Sequence, residues 1–124
     1  MRHFSVMTGR DVEPIDISIL MTYIGSGNDL DPLILEVLEL MLRDTVLAWD
    51  QLIAADPVHD QRMIHSVCHR MLGIARYAGL LSLEQAAVSI GRQDEYQLGF
   101  PKFLIELGHA ITAIQLTITH LRNP

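Results

Sequence analysis

The 124-residue chain is poor in the residues that stabilise secreted or sheet-based proteins: it has one cysteine, and aromatic residues make up only 6% of it. A single cysteine excludes an internal disulfide and no secretory signal is visible, so we expect a cytoplasmic protein. No uninterrupted apolar run approaches the roughly 18 residues that cross a bilayer, so we expect no membrane contact. The apolar residues, 49% of the chain, are mainly Leu, Ile, Ala and Met, which favours helices packed on helices in one domain.

Basic residues are also scarce. Nine Lys and Arg against 15 Asp and Glu give a formal net charge of −6. This charge argues against nucleic acid as a partner, because phosphate backbones attract basic surfaces. Arg62, Arg70 and Arg76 nevertheless lie within one predicted helix. An acidic chain with a local basic strip suits an anionic group or an acidic patch on another protein.

Helix start and stop signals divide the chain into a short N-terminal helix and four further helices. Asp60 is an expected N-cap, and Ser82 to Gln85 has the form of a capping box. The predicted elements are a flexible arm over 1–13, a cap helix over 15–23, helices over 31–54, 61–78, 83–90 and 101–121, and a loop from Gly91 to Pro101. Short connections between amphipathic helices are typical of antiparallel bundles. We therefore predict an all-α, antiparallel four-helix bundle over residues 14–124 with a short N-terminal cap helix.

The predicted helix over 61–78 has a distinct buried face. Because a helix advances about 100° per residue, its apolar residues fall within roughly 60° of one direction. These residues are Ile64, Val67, Cys68, Met71, Ile74, Ala75 and Ala78. His69 lies roughly 160° from the centre of this stripe and therefore faces solvent. Spacings of four and seven residues return to one side of a helix. The outward face therefore also carries Arg62, His65, Gly73 and Arg76.

Gly73 is unusual because a glycine inside a helix costs roughly 1 kcal/mol relative to alanine. Helical side chains lean toward the N-terminus, so a side chain at 73 would lie across His69. Its absence leaves the imidazole open to a large partner. The alternative interpretation is that Gly73 lets another helix of the same protein pack closely.

An exposed His69 is a candidate nucleophile, because neutral imidazole is available near neutral pH and its nitrogen attacks phosphorus readily. The sequence shows no glycine-rich phosphate loop, no nearby carboxylate pair and no acidic metal cluster. We therefore expect this chain to carry a phosphoryl group but not to make one from ATP. The activated donor and Mg²⁺ would come from a partner that reaches the ring.

His69, Gly73 and Gly79 resemble the signature of histidine-containing phosphotransfer (HPt) domains, in which glycines follow the phosphorylated histidine by four and ten positions. The resemblance covers about residues 14 to 122. It implies a phosphorelay intermediate of two-component signalling, in which His69 accepts a phosphoryl group from a receiver-domain aspartate and passes it to another receiver. It also implies a monomeric phosphocarrier without kinase activity, either free-standing or the end of a hybrid sensor histidine kinase. No cofactor is then expected on this chain, and Mg²⁺ is expected on the receiver.

One position departs from the family pattern. Many HPt domains carry a lysine three positions after the histidine, near the phosphate, where this chain has Leu72. A phosphohistidine carries close to two negative charges, so we expect Arg70 and Arg76 to stabilise the phosphate. Leu72 lies roughly 100° from the buried stripe and could meet an apolar receiver surface. The predicted receiver-docking patch comprises Arg62, His65, Leu72 and apolar residues of the neighbouring long helix.

A metal site is an alternative function for this helix face. His65 and His69 are four residues apart and could share a zinc ion, but a structural site needs four ligands and a catalytic site three. Cys68 points into the core by the same angular argument. Candidates for a further ligand, which the sequence does not place nearby, are His59, Asp60 and His109.

A receiver-binding or scaffold bundle that accepts no phosphoryl group is a further alternative. Leu72, in place of lysine, favours it. The presence of His69 together with both Gly73 and Gly79 argues against it, because a pure binding surface does not require the ring to be uncovered.

Overall fold

The computed structural model describes residues 15–16, 18–19, 30–91 and 96–123. Within these ranges the chain forms four helices and no strand: α1 (Leu30–Ile53), α2 (Gln61–Ala78), α3 (Leu81–Ile90) and α4 (Tyr96–Arg122). The predicted all-α four-helix bundle is confirmed. The predicted arm over 1–13 and most of the predicted cap helix lie outside the described residues, although Ser18 and Ile19 are helical. None of these four described helices is both long and apolar enough to cross a membrane.

The four helices enclose one core, in which α1 and α3 each pack against both α2 and α4. All four contribute fully buried side chains: Leu38, Leu52, Ile64, Met71, Leu83, Ile90, Phe103, Leu107, Ile111 and Ile114. The Arg122 side chain donates to the Glu39 carboxylate, and further back along α4 Gly108 lies against Trp49. The helices α1 and α4 are therefore antiparallel. Among the described helices, α2 packs against α1 and α3, so its outer face lies at the surface between these two helices.

Asp60 occupies the N-cap position of α2, but its side chain makes no capping hydrogen bond. Its carboxylate accepts a hydrogen bond from the backbone N–H of Asp56 at 2.8 Å, within the turn between α1 and α2. The predicted N-cap position is confirmed, whereas the expected role of the side chain is wrong. Asp60 stabilises the turn and not the helix end.

The turn between α2 and α3 consists of Gly79 and Leu80 alone. The buried Leu80 donates its N–H to the carbonyl of Ala75 at 2.8 Å and accepts the N–H of Glu84 at 3.0 Å. Leu80 is thus the N-cap of α3, and Ser82 lies inside the first turn. The predicted capping box at Ser82 is wrong, because burial of Leu80 fixes an earlier helix start.

The last helix begins at Tyr96 and continues through Pro101. The predicted loop from Gly91 to Pro101 is therefore wrong over its second half. A proline inside a helix costs about 3 kcal/mol, and burying two phenylalanines contributes about 3–6 kcal/mol. Phe100 and Phe103 are both buried, so their packing offsets the cost of Pro101. The start of α4 also lies against the end of α3, because a Cβ at Gly99 would be 3.7 Å from Ile90 Cγ1.

The C-terminal end of α2 is held by residues from near the N-terminus of the chain. The backbone N–H of Asp16 donates to the carbonyl of Ala78 at 2.9 Å, and Ile15 is buried beside it. Gly79 adopts a left-handed conformation with φ of 68°, which ends the helix. A Cβ at Gly79 would lie 2.6 Å from Asp16 Cβ. Only glycine therefore suits both the backbone angle and the close approach.

Asp16 also organises the residues that follow it. Its Oδ1 accepts hydrogen bonds from the Ser18 N–H at 3.0 Å, the Ser18 hydroxyl at 2.5 Å and the Ile19 N–H at 3.3 Å. The hydroxyl of Ser18, followed by the N–H of Ile19, lowers the pKa of Asp16. A lowered folded-state pKa means that the carboxylate stabilises the fold above about pH 4 and that this contribution is lost as the pH falls further.

We expect Asp16→Ala to lower the Tm by about 4 °C at pH 7, the effect of losing a helix cap in a domain of this size. The difference from the wild type should shrink below pH 4, where the carboxyl becomes protonated. Thermal unfolding followed by circular dichroism between pH 3 and pH 7 measures both effects. Asp16→Asn is the matched control, because it keeps the acceptor oxygen but does not titrate. Equal Tm values for the wild type and Asp16→Ala at pH 7 would contradict the capping role.

Candidate functional site

The buried stripe predicted on α2 is present. Six of its seven residues are buried, and Ile74 is half-buried at the edge. His69 is exposed on the opposite side of the helix. The packing of α2 against the core therefore fixes His69 at the surface.

His69 lines a surface groove between α2 and α3, with a volume of about 410 Å³, that we term the His69 groove. His65 and Leu72 line the same groove, so the structure brings three of the predicted site residues together. The other described lining residues are Cys68, Ala87, Val88, Ile90 and Gly91. The described apolar residues beside His69 come from α2 itself and from the short helix α3, and none of the described lining residues comes from α1. The predicted contribution of the long helix to receiver docking stays a prediction.

Sequence reasoning missed the α3 side of the groove. A signal for it was nevertheless present in Val88. Its neighbours Ala86, Ala87 and Ile90 are buried, whereas Val88 is 40% exposed on the outer side of α3. An apolar residue spaced away from a helix's core positions indicates a surface that a partner can cover.

The space around Gly73 is open. No described atom outside the helix backbone lies within 4 Å of where its Cβ would be. The alternative interpretation, that Gly73 admits another helix of the same chain, therefore has no support from the described residues. Leu72 beside it is half-buried and packs against the core, as expected for a residue at the rim.

Gly79 has a different role from Gly73, although both belong to the same motif. Gly79 ends α2 in the left-handed conformation and lets Asp16 approach closely. Its role is explained by the fold alone. Of the two glycines in the motif, Gly73 is the one whose presence the described fold does not explain.

Arg62 and Arg70 lie on the other side of α2. They line a second groove, of about 490 Å³, between α1 and α2 together with Gln51, His59, Asp60, Met63, Ser66 and Val67. The guanidinium of Arg70 donates to Gln51 Oε1 at 3.0 Å. Of the predicted docking and phosphate-stabilising residues, these two are therefore separated from the His69 groove.

Arg76 is paired with α3. Its Nε lies 3.4 Å from Glu84 Oε2, and both side chains are partly exposed. Such an exposed pair contributes at most about 1 kcal/mol, so the ion pair can open. In this structure Arg76 does not line the His69 groove.

Cys68 lies at the inner edge of the groove, but its thiol is unreactive. Burial raises the pKa of its thiol to about 12, so it stays protonated near neutral pH. Only the thiolate is a good nucleophile or metal ligand. Cys68 therefore acts as a small apolar side chain.

The metal alternative gains no support from the described part of the chain, where no three His, Cys, Asp or Glu side chains are grouped to hold an ion. Two of the candidate further ligands, His59 and Asp60, line the other groove. The third, His109, lies on α4 with its Nδ1 3.7 Å from Glu106 Oε2. His65 and His69 alone fall short of the three ligands that a catalytic zinc requires.

Comparisons of this chain with protein-family models, with curated proteins and with solved structures found no match. The similarity to HPt domains therefore stays a prediction, and it depends on His69, Gly73 and Gly79 in the context of a four-helix bundle.

Proposed function

We propose that this chain is an HPt domain, a cytoplasmic and monomeric phosphocarrier that takes a phosphoryl group from one receiver domain onto His69 and gives it to another. The observation that carries the proposal is an exposed His69 with open space at Gly73, one turn further along α2. A small-molecule site would enclose the ring. An exposed ring in an open surface groove suits a donor that is itself a protein.

The proposed reaction needs little from this chain beyond the imidazole. One ring nitrogen of neutral His69 donates its lone pair to the phosphorus of an aspartyl phosphate, and the bond from phosphorus to the aspartate oxygen breaks. The electron pair leaves with the aspartate carboxylate. The proton on the other ring nitrogen is then lost to water, and the reverse sequence passes the group to a second receiver. Mg²⁺ held by the receiver would supply charge neutralisation for the transferring phosphoryl group.

The groove offers an apolar surface for the receiver. Leu72 from α2 and Val88 from α3 flank the histidine on a surface of modest size. A relay requires a short-lived contact, and small protein interfaces support only weak association. The described lining residues are mostly apolar, which favours an apolar patch beside the receiver's phosphorylated aspartate.

The proposal is tested by incubating the chain with receiver domains that carry a ³²P-labelled aspartyl phosphate. Wild type is expected to acquire acid-labile, base-stable label, and His69→Gln is expected to acquire none. His120→Gln is the matched control, because His120 is an exposed histidine on α4, away from the groove. Label on His69→Gln, or equal loss in both variants, would contradict the assignment of His69.

A scaffold function is the second candidate, and the observation that favours it is that none of the described residues lining the His69 groove is Lys or Arg. The same experiment separates the two functions. A chain that binds a receiver tightly but takes up no label from any of a panel of phosphorylated receivers would favour the scaffold.

A further inference from the structure

A second surface of the molecule is not used by the proposed function. The groove of about 490 Å³ between α1 and α2 contains Arg62 and Arg70, and we term it the arginine groove. The whole chain has only nine Lys and Arg, so two in one groove form a local positive region on an acidic protein. The described residues that line it are all different from those that line the His69 groove. The arginine groove therefore needs an explanation of its own.

The arginine groove is open because α1 and α2 pack less extensively than the other neighbouring pairs of described helices. Met63 is half-buried and Val67 is buried, so the groove has an apolar floor. Gln51 lines the groove from α1, and Leu47 lies one turn before it on the same face of that helix. The Leu47 side chain is 50% exposed and extends the apolar surface. The groove thus offers apolar contacts as well as positive charge.

Both arginine side chains have donors left for an incoming anion. Arg62 forms no hydrogen bond or ion pair with another described residue. Arg70 donates from Nη2 to Gln51 Oε1 at 3.0 Å, which holds its guanidinium at the groove and leaves the other N–H groups for a ligand. Ser66 lies one turn from each arginine and adds an exposed hydroxyl. The donors therefore follow one edge of α2.

The nearby carboxylates are engaged within the turn from α1 to α2. Asp60 is the acidic residue among the described lining residues, and its carboxylate accepts the N–H of Asp56 at 2.8 Å. The carboxylate of Asp56 lies 2.8 Å from His59 Nδ1. Neither carboxylate forms an ion pair with Arg62 or Arg70, so both guanidinium groups are left for an external anion.

The spacing of the two arginines favours one kind of anion. A helix rises about 1.5 Å per residue, so Arg62 and Arg70 are about 12 Å apart along α2. Both side chains lean toward the N-terminus of the helix and therefore do not converge on one small anion. A second helix with carboxylates seven residues apart spans about 10 Å and matches this separation. Its residues three and four positions after the first carboxylate lie on the same face and meet the apolar floor.

We propose that the arginine groove is a docking site for an acidic amphipathic helix of a partner protein. Two carboxylates of that helix bond to Arg62 and Arg70, and an apolar side chain between them contacts Met63 and Leu47. Because the chain has a net charge of −6, its surface repels an acidic partner in general and attracts it at this groove. The inference does not depend on the proposed function, since the described lining of the groove does not include His69.

The test measures the binding of a model helix to the purified chain by fluorescence anisotropy. The probe is a fluorescein-labelled, alanine-rich peptide of about 15 residues, with two glutamates seven residues apart and two leucines between them on the same face. The same peptide with glutamines in place of the glutamates should bind about tenfold more weakly. Arg62→Gln and Arg70→Gln should each weaken binding of the acidic peptide about two- to fivefold, the effect of one exposed ion pair. Arg43→Gln is the matched control, because Arg43 is an exposed arginine of α1 outside the described lining, and it should bind like wild type.

Several outcomes would overturn the docking site. Failure of the acidic peptide to bind wild type, or equal binding of the two peptides, would show that the groove does not recognise an acidic helix. Equal losses in Arg43→Gln and in the groove variants would show attraction to charge anywhere on the surface. Inorganic phosphate is the probe for a small anion, and displacement of the peptide by an equal concentration of phosphate would replace the helix with a small ligand. Circular dichroism of each variant establishes that the helices are intact.

Discussion

Replacing Gly79 by alanine is expected to lower the free energy of unfolding by about 2–4 kcal/mol. An alanine at φ of 68° costs about 1–2 kcal/mol in backbone energy alone. The new Cβ would also lie 2.6 Å from Asp16 Cβ and 3.0 Å from Ile19 Cδ1. A Cβ atom cannot swing aside as the end of a long side chain can, so the segment that bonds to Ala78 must move. The substitution therefore disrupts both the C-terminal end of α2 and the hydrogen bond from Asp16 to Ala78.

Gly73→Ala provides the matched comparison within the same motif. Its new Cβ meets no described atom within 4 Å. The substitution should therefore raise the free energy of unfolding by up to about 1 kcal/mol, the difference in helix propensity between the two residues. Urea denaturation followed by circular dichroism measures both variants. Similar effects of the two substitutions, in either direction, would contradict the distinction between a glycine required by the fold and one required for access.

The local structure of α2 could be predicted from the sequence because its apolar spacing is regular. Angular arithmetic placed Met71 in the core and His69 at the surface, and the structure agrees. Each of these placements depends only on positions along one helix. The same kind of evidence gave the bounds of α2 and the all-α class.

The distribution of the cations could not be predicted in this way. Arg62, His65 and Arg76 share the outward face of an isolated helix, yet the structure divides them between two grooves and an ion pair. An outward face becomes a site only when neighbouring helices flank it. The periodicity of α2 contains no information on whether α1 or α3 lies beside His69.

The prediction of where α4 begins was wrong for a related reason. Gly99 and Pro101 are strong local signals against a helix, and they are outweighed by the burial of Phe100 and by contact of Gly99 with Ile90. Both contributions come from tertiary packing. The burial of Leu80 likewise overrides the capping signal at Ser82. Local signals were thus least reliable where two helices meet end to end.

Gly73→Gln is expected to reduce phosphoryl transfer from a receiver by at least about 100-fold while leaving the fold intact. Glutamine favours helix more than glycine does, and the position has open space, so the variant should be at least as stable as wild type. Its side chain would lean back across His69. A receiver that must bring its aspartyl phosphate into line with the ring is then held too far away, and misplacement by about 1 Å already costs about 100-fold.

The size of the donor decides whether this loss is steric. Potassium phosphoramidate is a phosphoryl donor far smaller than a receiver domain, and it is small enough to pass a glutamine side chain. It should therefore label Gly73→Gln within about twofold of wild type. Gly73→Ala, whose methyl group is too short to cover the ring, should retain most receiver transfer. Loss of labelling by both donors would show that the substitution damages His69 itself. Full receiver transfer to Gly73→Gln would show that the open space beside His69 is not what admits the partner, and the proposed function would then lose the observation that carries it.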